Sequence, residues 1–186
     1  MQQNPEYIMQ LKPPVPMGVK AEIRSGIYRP TFTSAQIHAV LVNFGREFEY
    51  GVAYSSGTSP DDLVWIADHG EIESRMAVAS NRNTPEPVLR KLLTDSNPQV
   101  VSAAQRGAAK RLCDAEMLRS IWQRKSDRSV KSNYPYFLAS DPDLPKFMAE
   151  NPCTPPDVLS AMSADSNGNV SYFAQQALAK RAAQSK

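Results

Sequence analysis

The chain has 186 residues, 41% of them apolar and 22% charged, with a formal net charge of +2. That length allows one domain of ordinary size or one repeat array with a substantial core. The net charge does not by itself imply a nucleic-acid partner. No apolar run reaches the length of a bilayer-spanning helix, so a membrane protein of that kind is excluded. Mean hydropathy is −0.44. The start, MQQNPEYIMQLKPPVPMG, lacks the basic-then-apolar layout of a secretory signal, so a cytoplasmic location is expected. Fifteen prolines against eight glycines suit many short helices with proline at their starts.

In chain order, residues 1–31 carry Pro5, Pro13, Pro14, Pro16 and Pro30 and read as an extended tail or strap. From Thr33 the pattern turns helical. Thr33 and Gln36 form a capping box, and Ile37, Val40 and Leu41 make an apolar stripe. The stripe returns 26 residues later at Leu63 and Ile66, after Ser59 as cap, Pro60, and the acidic first turn Asp61-Asp62. Gly70 is expected as a left-handed helix terminator. Another shift of 26 brings Leu89, Leu92 and Leu93, with Thr84 expected as the N-cap, its hydroxyl accepting a backbone N–H, and Pro85 as the first helical residue. Small-residue second helices follow each stripe, at Val52-Ala53, Met76–Ala79 and Val100–Ala104.

Later copies are less regular. Leu118, Ile121 and Trp122 repeat the stripe, and Leu159 and Met162 repeat it again. The excess length between them, around residues 124–142, reads as an insertion or a distorted second helix. Phe147-Met148-Ala149, then Val170, Phe173, Ala174 and Ala177, supply the last second helices. Lys180 and Arg181 give a basic final turn that suits a helix C-terminus.

Two phrases show the repetition most clearly: NRNTPEPVLRKLLTD at residues 81–95 and NPCTPPDVLSAMSAD at residues 151–165. Self-similarity of this kind marks stacked repeat architectures. The expected fold is all-α, a short right-handed α-solenoid of about five two-helix repeats over residues 32–182, behind an N-terminal extension at 1–31.

The phrases resemble the leucine-rich repeat variant family, a relative in shape of HEAT-type helical repeats, whose repeat runs N-P-x-T-P-x-x-V-L-x-x-L-A-x-D-x-x-x-x-V. The resemblance covers most of residues 58–182. It implies a right-handed superhelix in which α-helices alternate with shorter helices, some of them 3₁₀. A founding member of that family carries a cysteine-ligated iron–sulfur cluster ahead of its repeats. Here the first 112 residues contain no cysteine, so no cofactor is carried over. Helical solenoids serve many unrelated tasks, so the fold transfers no activity.

The residues offer little chemistry. His38 and His69 lie in different repeats without neighbouring Cys/His spacing, so no metal site is expected. No nucleophile motif surrounds any serine, and Cys153 occupies a variable slot of the repeated turn. Asp61 and Asp62 are explained by the helix dipole. Cys113 and Cys153 read as small core or boundary residues rather than a disulfide in a reducing compartment. Trp122 is on the apolar stripe and reads as core. Trp65 is one position off it and reads as edge-of-core, with a binding role as the sharper alternative.

The charge distribution stands out more. Residues 106–131 hold eight cations (Arg106, Lys110, Arg111, Arg119, Arg124, Lys125, Arg128 and Lys131) against Asp114, Glu116 and Asp127. Tyr134, Tyr136 and Phe137 follow, with rings that could stack. Such a band suits phosphate backbones or an acidic protein surface, or is a solvated helix face. The leading functional expectation is a non-enzymatic scaffold that binds another protein, or a second copy of itself, without cofactors. The alternative is a nucleic-acid binder using the basic band.

Overall fold

The computed structural model describes residues 5–29, 31–126 and 142–184. Among these residues the chain is all-α, with no strand. It divides into two compact units, Met1–Ala104 and Gln105–Lys186, with the division inside the helix Pro98–Arg111.

The first unit contains α1 (Pro5–Gln10), α2 (Met17–Tyr28), α3 (Ser34–Phe44), a 3₁₀ turn (Gly45–Glu47), α4 (Glu49–Tyr54), α5 (Pro60–His69), α6 (Ile72–Ser80), α7 (Glu86–Leu92) and the start of α8 (Pro98–Arg111). The region expected to be extended is instead largely helical. Helix α1 packs on α3 and α2 on α4. Ile23 and Ile27 of α2 are almost completely buried, and burying such a side chain is worth about 1.5–3 kcal/mol, enough to draw a proline-flanked segment into a helix. Pro16 bounds a helix rather than straightening the chain, since it stands at the N-cap of α2.

Local signals set the helix starts. Thr33 and Gln36 do form the capping box: the Gln36 N–H donates to Thr33 Oγ1 at 3.3 Å, and the Thr33 N–H donates to Gln36 Oε1 at 2.8 Å. The Asp62 N–H donates to Ser59 Oγ at 3.2 Å at the start of α5. The stripe residues Ile37, Val40, Leu63, Ile66, Leu89 and Leu92 are buried. Leu93 is only half-buried, just past the end of α7.

Two expectations about helix ends are corrected. Gly70 is not left-handed; its φ is −74°. It is glycine because space is short: an added Cβ would lie 2.5 Å from the Ile66 carbonyl oxygen and 3.0 Å from Glu49 Oε1. That carboxylate oxygen accepts the Glu71 N–H at 3.0 Å and so satisfies the start of α6. Thr84 is not a helix cap either. Pro85 holds the N-cap position, and the buried Thr84 hydroxyl donates backwards to the Val78 carbonyl at 2.5 Å. Thr58 donates in the same way to Val52. The hydroxyl closes the end of one helix instead of opening the next, adding a second donor to a carbonyl that also accepts a backbone N–H.

The second unit contains the end of α8, α9 (Ala115–Ser126), α10 (Leu144–Glu150), α11 (Pro156–Ser163) and α12 (Gly168–Gln184). Helix α12 packs on α10 and α11. Leu118, Ile121, Trp122, Leu159 and Met162 are buried as the stripe requires. Most of the expected insertion, with Asp127 and Asp141, lies outside the described residues.

The repeated phrase is a repeated set of bonds. In the first unit Asn81 Nδ2 donates to the carbonyls of Ala53 and Ser55, each at 2.8 Å, and Asn81 Oδ1 accepts the Asn83 N–H. In the second, Asn151 Nδ2 donates to the carbonyls of Ala109 and Leu112, each at 2.8 Å, and Asn151 Oδ1 accepts the Cys153 N–H. Thr154 donates to the Met148 carbonyl as Thr84 does to Val78. Asp95 and Asp165 accept the N–H of Asn97 and Asn167, whose own side chains accept from the starts of α8 and α12. A buried asparagine thus ties each turn to the preceding one with both ends of its amide satisfied.

Candidate binding surface

Among its described residues the basic band does not present a uniform row of cations. Arg119 of α9 grips Asp157 of α11 through two hydrogen bonds of 3.0 Å each. That hydrogen bond holds the Asp157 carboxyl below its ordinary range and raises the Arg119 guanidinium. Lys110 is exposed, with Nζ 5.3 Å from the centroid of the Phe147 ring. Arg111 is partly buried, its Nε donating to the Gly107 carbonyl, and burial lowers its pKa. Arg106 is half-buried. Arg124 and Lys125 belong to α9, but their side chains, like all of Arg128, Lys131, Tyr134, Tyr136 and Phe137, lie outside the described residues.

Trp65, expected at the edge of the core, is 45% exposed. It projects from α5 and stacks on His69, ring centroids 4.9 Å apart. The i, i+4 spacing puts both on one helix face. The one-position offset from the stripe turns Trp65 away from the interior.

Hydroxyl, carboxylate and imidazole do meet at one place. Ser59 Oγ donates to Asp62 Oδ2 at 2.8 Å, and His38 Nδ1 lies 2.7 Å from Asp62 Oδ1. The order is Ser–Asp–His, with the carboxylate in the middle. The imidazole therefore does not receive the serine proton, and the hydroxyl is already committed to capping α5. Sequence alone does not show this link, because His38 and Asp62 belong to different helices. Among the described residues no group of three or more His, Cys, Asp or Glu could hold a metal ion.

The surface most suited to binding was not singled out by the sequence. Tyr28, at the end of α2, and Tyr50 and Tyr54 of α4 are all about half exposed, at 52%, 47% and 59%. Tyr50 and Tyr54 stack with centroids 6.2 Å apart, and Tyr28 is 6.1 Å from Tyr54. Beside this cluster runs an open groove of about 390 Å³ lined by Tyr54, Ser56, Ala77, Ser80, Asn81 and Arg82. Arg82 is exposed and is the one charged residue among the described residues of that lining. The Tyr50/Tyr54 spacing of i, i+4 was the available signal. It was masked because Tyr28 arrives from the segment expected to be a tail.

No family model, curated protein or solved structure matches the chain. Three tyrosines offer flat amphipathic faces at low entropic cost. A single arginine at the groove edge adds a donor set for a carboxylate. Nothing in this arrangement supplies an activated nucleophile or an acid–base pair.

Proposed function

We propose that this chain is a non-enzymatic helical-repeat protein that binds an extended segment of another protein. The wider fold proposed is a right-handed solenoid of about five two-helix repeats related to the leucine-rich repeat variant family. Recurrence of the Asn–x–x–Thr turn in each unit supports that reading. The expected location is the cytoplasm; no helix among the described residues is long and apolar enough to cross a membrane.

The observation that carries the functional reading is the exposed Tyr28/Tyr50/Tyr54 cluster beside the Arg82 groove. Aromatic-lined grooves take proline-containing extended peptides, whose pyrrolidine rings stack on tyrosine faces and whose backbone is already ordered. Arg82 favours an acidic residue next to the proline. Titration with a fluorescent proline- and glutamate-containing decapeptide tests this, alongside an oligothymidine of similar length. Peptide binding that falls about tenfold in Tyr50→Ala/Tyr54→Ala, the effect expected of an aromatic hot spot, supports the proposal. Oligothymidine binding that weakens steeply with salt, and is lost when Arg124 and Lys125 become Glu, would replace it with the nucleic-acid reading. Binding of neither probe would also overturn it.

A further inference from the structure

In the second unit Cys113 and Cys153 are joined by a disulfide, Cα atoms 5.1 Å apart. This corrects the expectation of two separate core or boundary residues. The pair lies on the surface side of the turns, with Cys113 exposed and Cys153 half-buried.

The two units solve the same local problem by different chemistry. Cys153 follows the buried Asn151 by two residues, and its N–H donates to Asn151 Oδ1 at 2.9 Å. In the first unit that position belongs to Asn83, whose N–H donates to Asn81 Oδ1 at the same distance. The Asn83 side chain then reaches back to the preceding turn, Nδ2 donating to the Ser56 carbonyl at 2.8 Å and the Thr58 carbonyl at 3.3 Å. Cys153 reaches back to the preceding turn of its own unit, but it does so covalently, at Cys113. A tie made of hydrogen bonds in one unit is made of sulfur in the other. The turn also has redundant support. Asn151 holds Ala109 and Leu112, Thr154 holds Met148, and Arg181 of α12 donates to the carbonyls of Asn151 and Thr154, each at 2.7 Å.

We propose that Cys113–Cys153 is a reversible thiol–disulfide exchange site, opened by dithiol reductants while the chain stays folded, so that the second unit's turn is loosened by reduction and the first unit's is not. Cys113 is the more exposed residue of the pair, so its sulfur is the one the proposal opens to attack. A dithiol's thiolate attacks it, forming a mixed disulfide and expelling Cys153 as a thiolate, which takes up a proton. The reagent's second thiol attacks the mixed disulfide, expels Cys113 as a thiolate that is likewise protonated, and leaves as an intramolecular disulfide. The protein gains two electrons and two protons; the dithiol loses the same.

The test uses the full chain with dithiothreitol, in its reduced and oxidised forms, as probe. Thiol alkylation with mass spectrometry reads the bond, and hydrogen exchange of the Thr154 and Thr84 amides reads the turns. Reduction is expected to release two alkylatable thiols, leave helical circular dichroism unchanged and speed Thr154 exchange about tenfold while Thr84 holds steady. The variant Cys113→Ser/Cys153→Asn installs the residues found at Ser56 and Asn83. It is expected to keep Thr154 protected with either form of the reagent, within about twofold. Three results would overturn the proposal: two free thiols even with oxidised reagent, a bond that resists reduction until the helices unfold, or Thr154 and Thr84 responding alike.

Discussion

Arg75 of α6 holds Asp95, beyond the end of α7, through two parallel hydrogen bonds: Nε to Oδ2 at 2.8 Å and Nη2 to Oδ1 at 3.0 Å. Its remaining Nη1 donates to the Gly70 carbonyl at 2.8 Å, and Asp95 Oδ1 also accepts the Asn97 N–H. One guanidinium thus gathers the α5–α6 turn and the α7–α8 turn around α6. Burial by itself pushes the Asp95 carboxyl up. The Arg75 hydrogen bond, the Asn97 N–H and the charges of Arg75 and Lys91 together outweigh it, so the net shift is downward. Arg75 is raised, chiefly by its hydrogen bond to Asp95.

The sign of that shift predicts a pH dependence. A carboxyl with a folded pKa below its unfolded value stabilises fully above the unfolded value, near pH 4, and the contribution is lost as pH falls through the folded pKa. Asp95→Asn should cost about 2 kcal/mol at pH 7, because it removes the carboxylate charge and one of the two hydrogen bonds that Arg75 makes to this side chain. The gap from wild type should narrow as pH drops below 4. Urea unfolding of both proteins across pH 3–7 measures it. A gap independent of pH would show that the carboxylate charge is irrelevant.

Asn81→Ala removes two donors from buried carbonyls and one acceptor from a turn amide. The expected loss is about 2–3 kcal/mol. Asn81→Asp should be worse, since a carboxylate would face two carbonyl oxygens with nothing to donate. Chemical denaturation ranks the two.

Arg181 stands in the last turn of α12, and its two bonds to the Asn151 and Thr154 carbonyls make it a turn clamp as well as a helix-dipole partner. Arg181→Met keeps the aliphatic stem but loses both bonds, with an expected cost of about 2 kcal/mol. Hydrogen exchange should report the loss at 151–154 and along α12 before the first unit responds.

Gly70 and Gly26 distinguish backbone from side-chain crowding. A Cβ on Gly70 meets the Ile66 carbonyl oxygen, which cannot move without disturbing the end of α5; the atoms nearest a Cβ on Gly26 belong to the ring of Phe32. Gly70→Ala should therefore cost about 3 kcal/mol, and Gly26→Ala about 1–2 kcal/mol as the ring is displaced. Thermal denaturation of the two variants gives the order.

Much of the helical layout was legible from short-range signals. Stripes such as Leu89/Leu92 and Leu159/Met162 identified buried faces, because helical spacing forces those positions onto one side. The capping box at Thr33 was legible because it spans three residues. The role of Thr84 is not legible in this way, because its partner lies behind it, in the preceding helix, and hydroxyls bond in either direction. The tyrosine surface was missed for a related reason. Tyr28 and Tyr54 are distant in sequence, and burial of Ile23 and Ile27 is what brings α2 against α4.

By itself, then, the order of residues determined that this chain is helical, where α3 and α5 begin, and which faces turn inward, since all three depend on neighbours within a turn or two. Only the tertiary structure decided which turns are tied together, by Asn81, by Asn151 and by the Cys113–Cys153 bond, and which aromatic rings share a surface. Those pairings join residues tens of positions apart, and their energy exists only once the helices between them have packed.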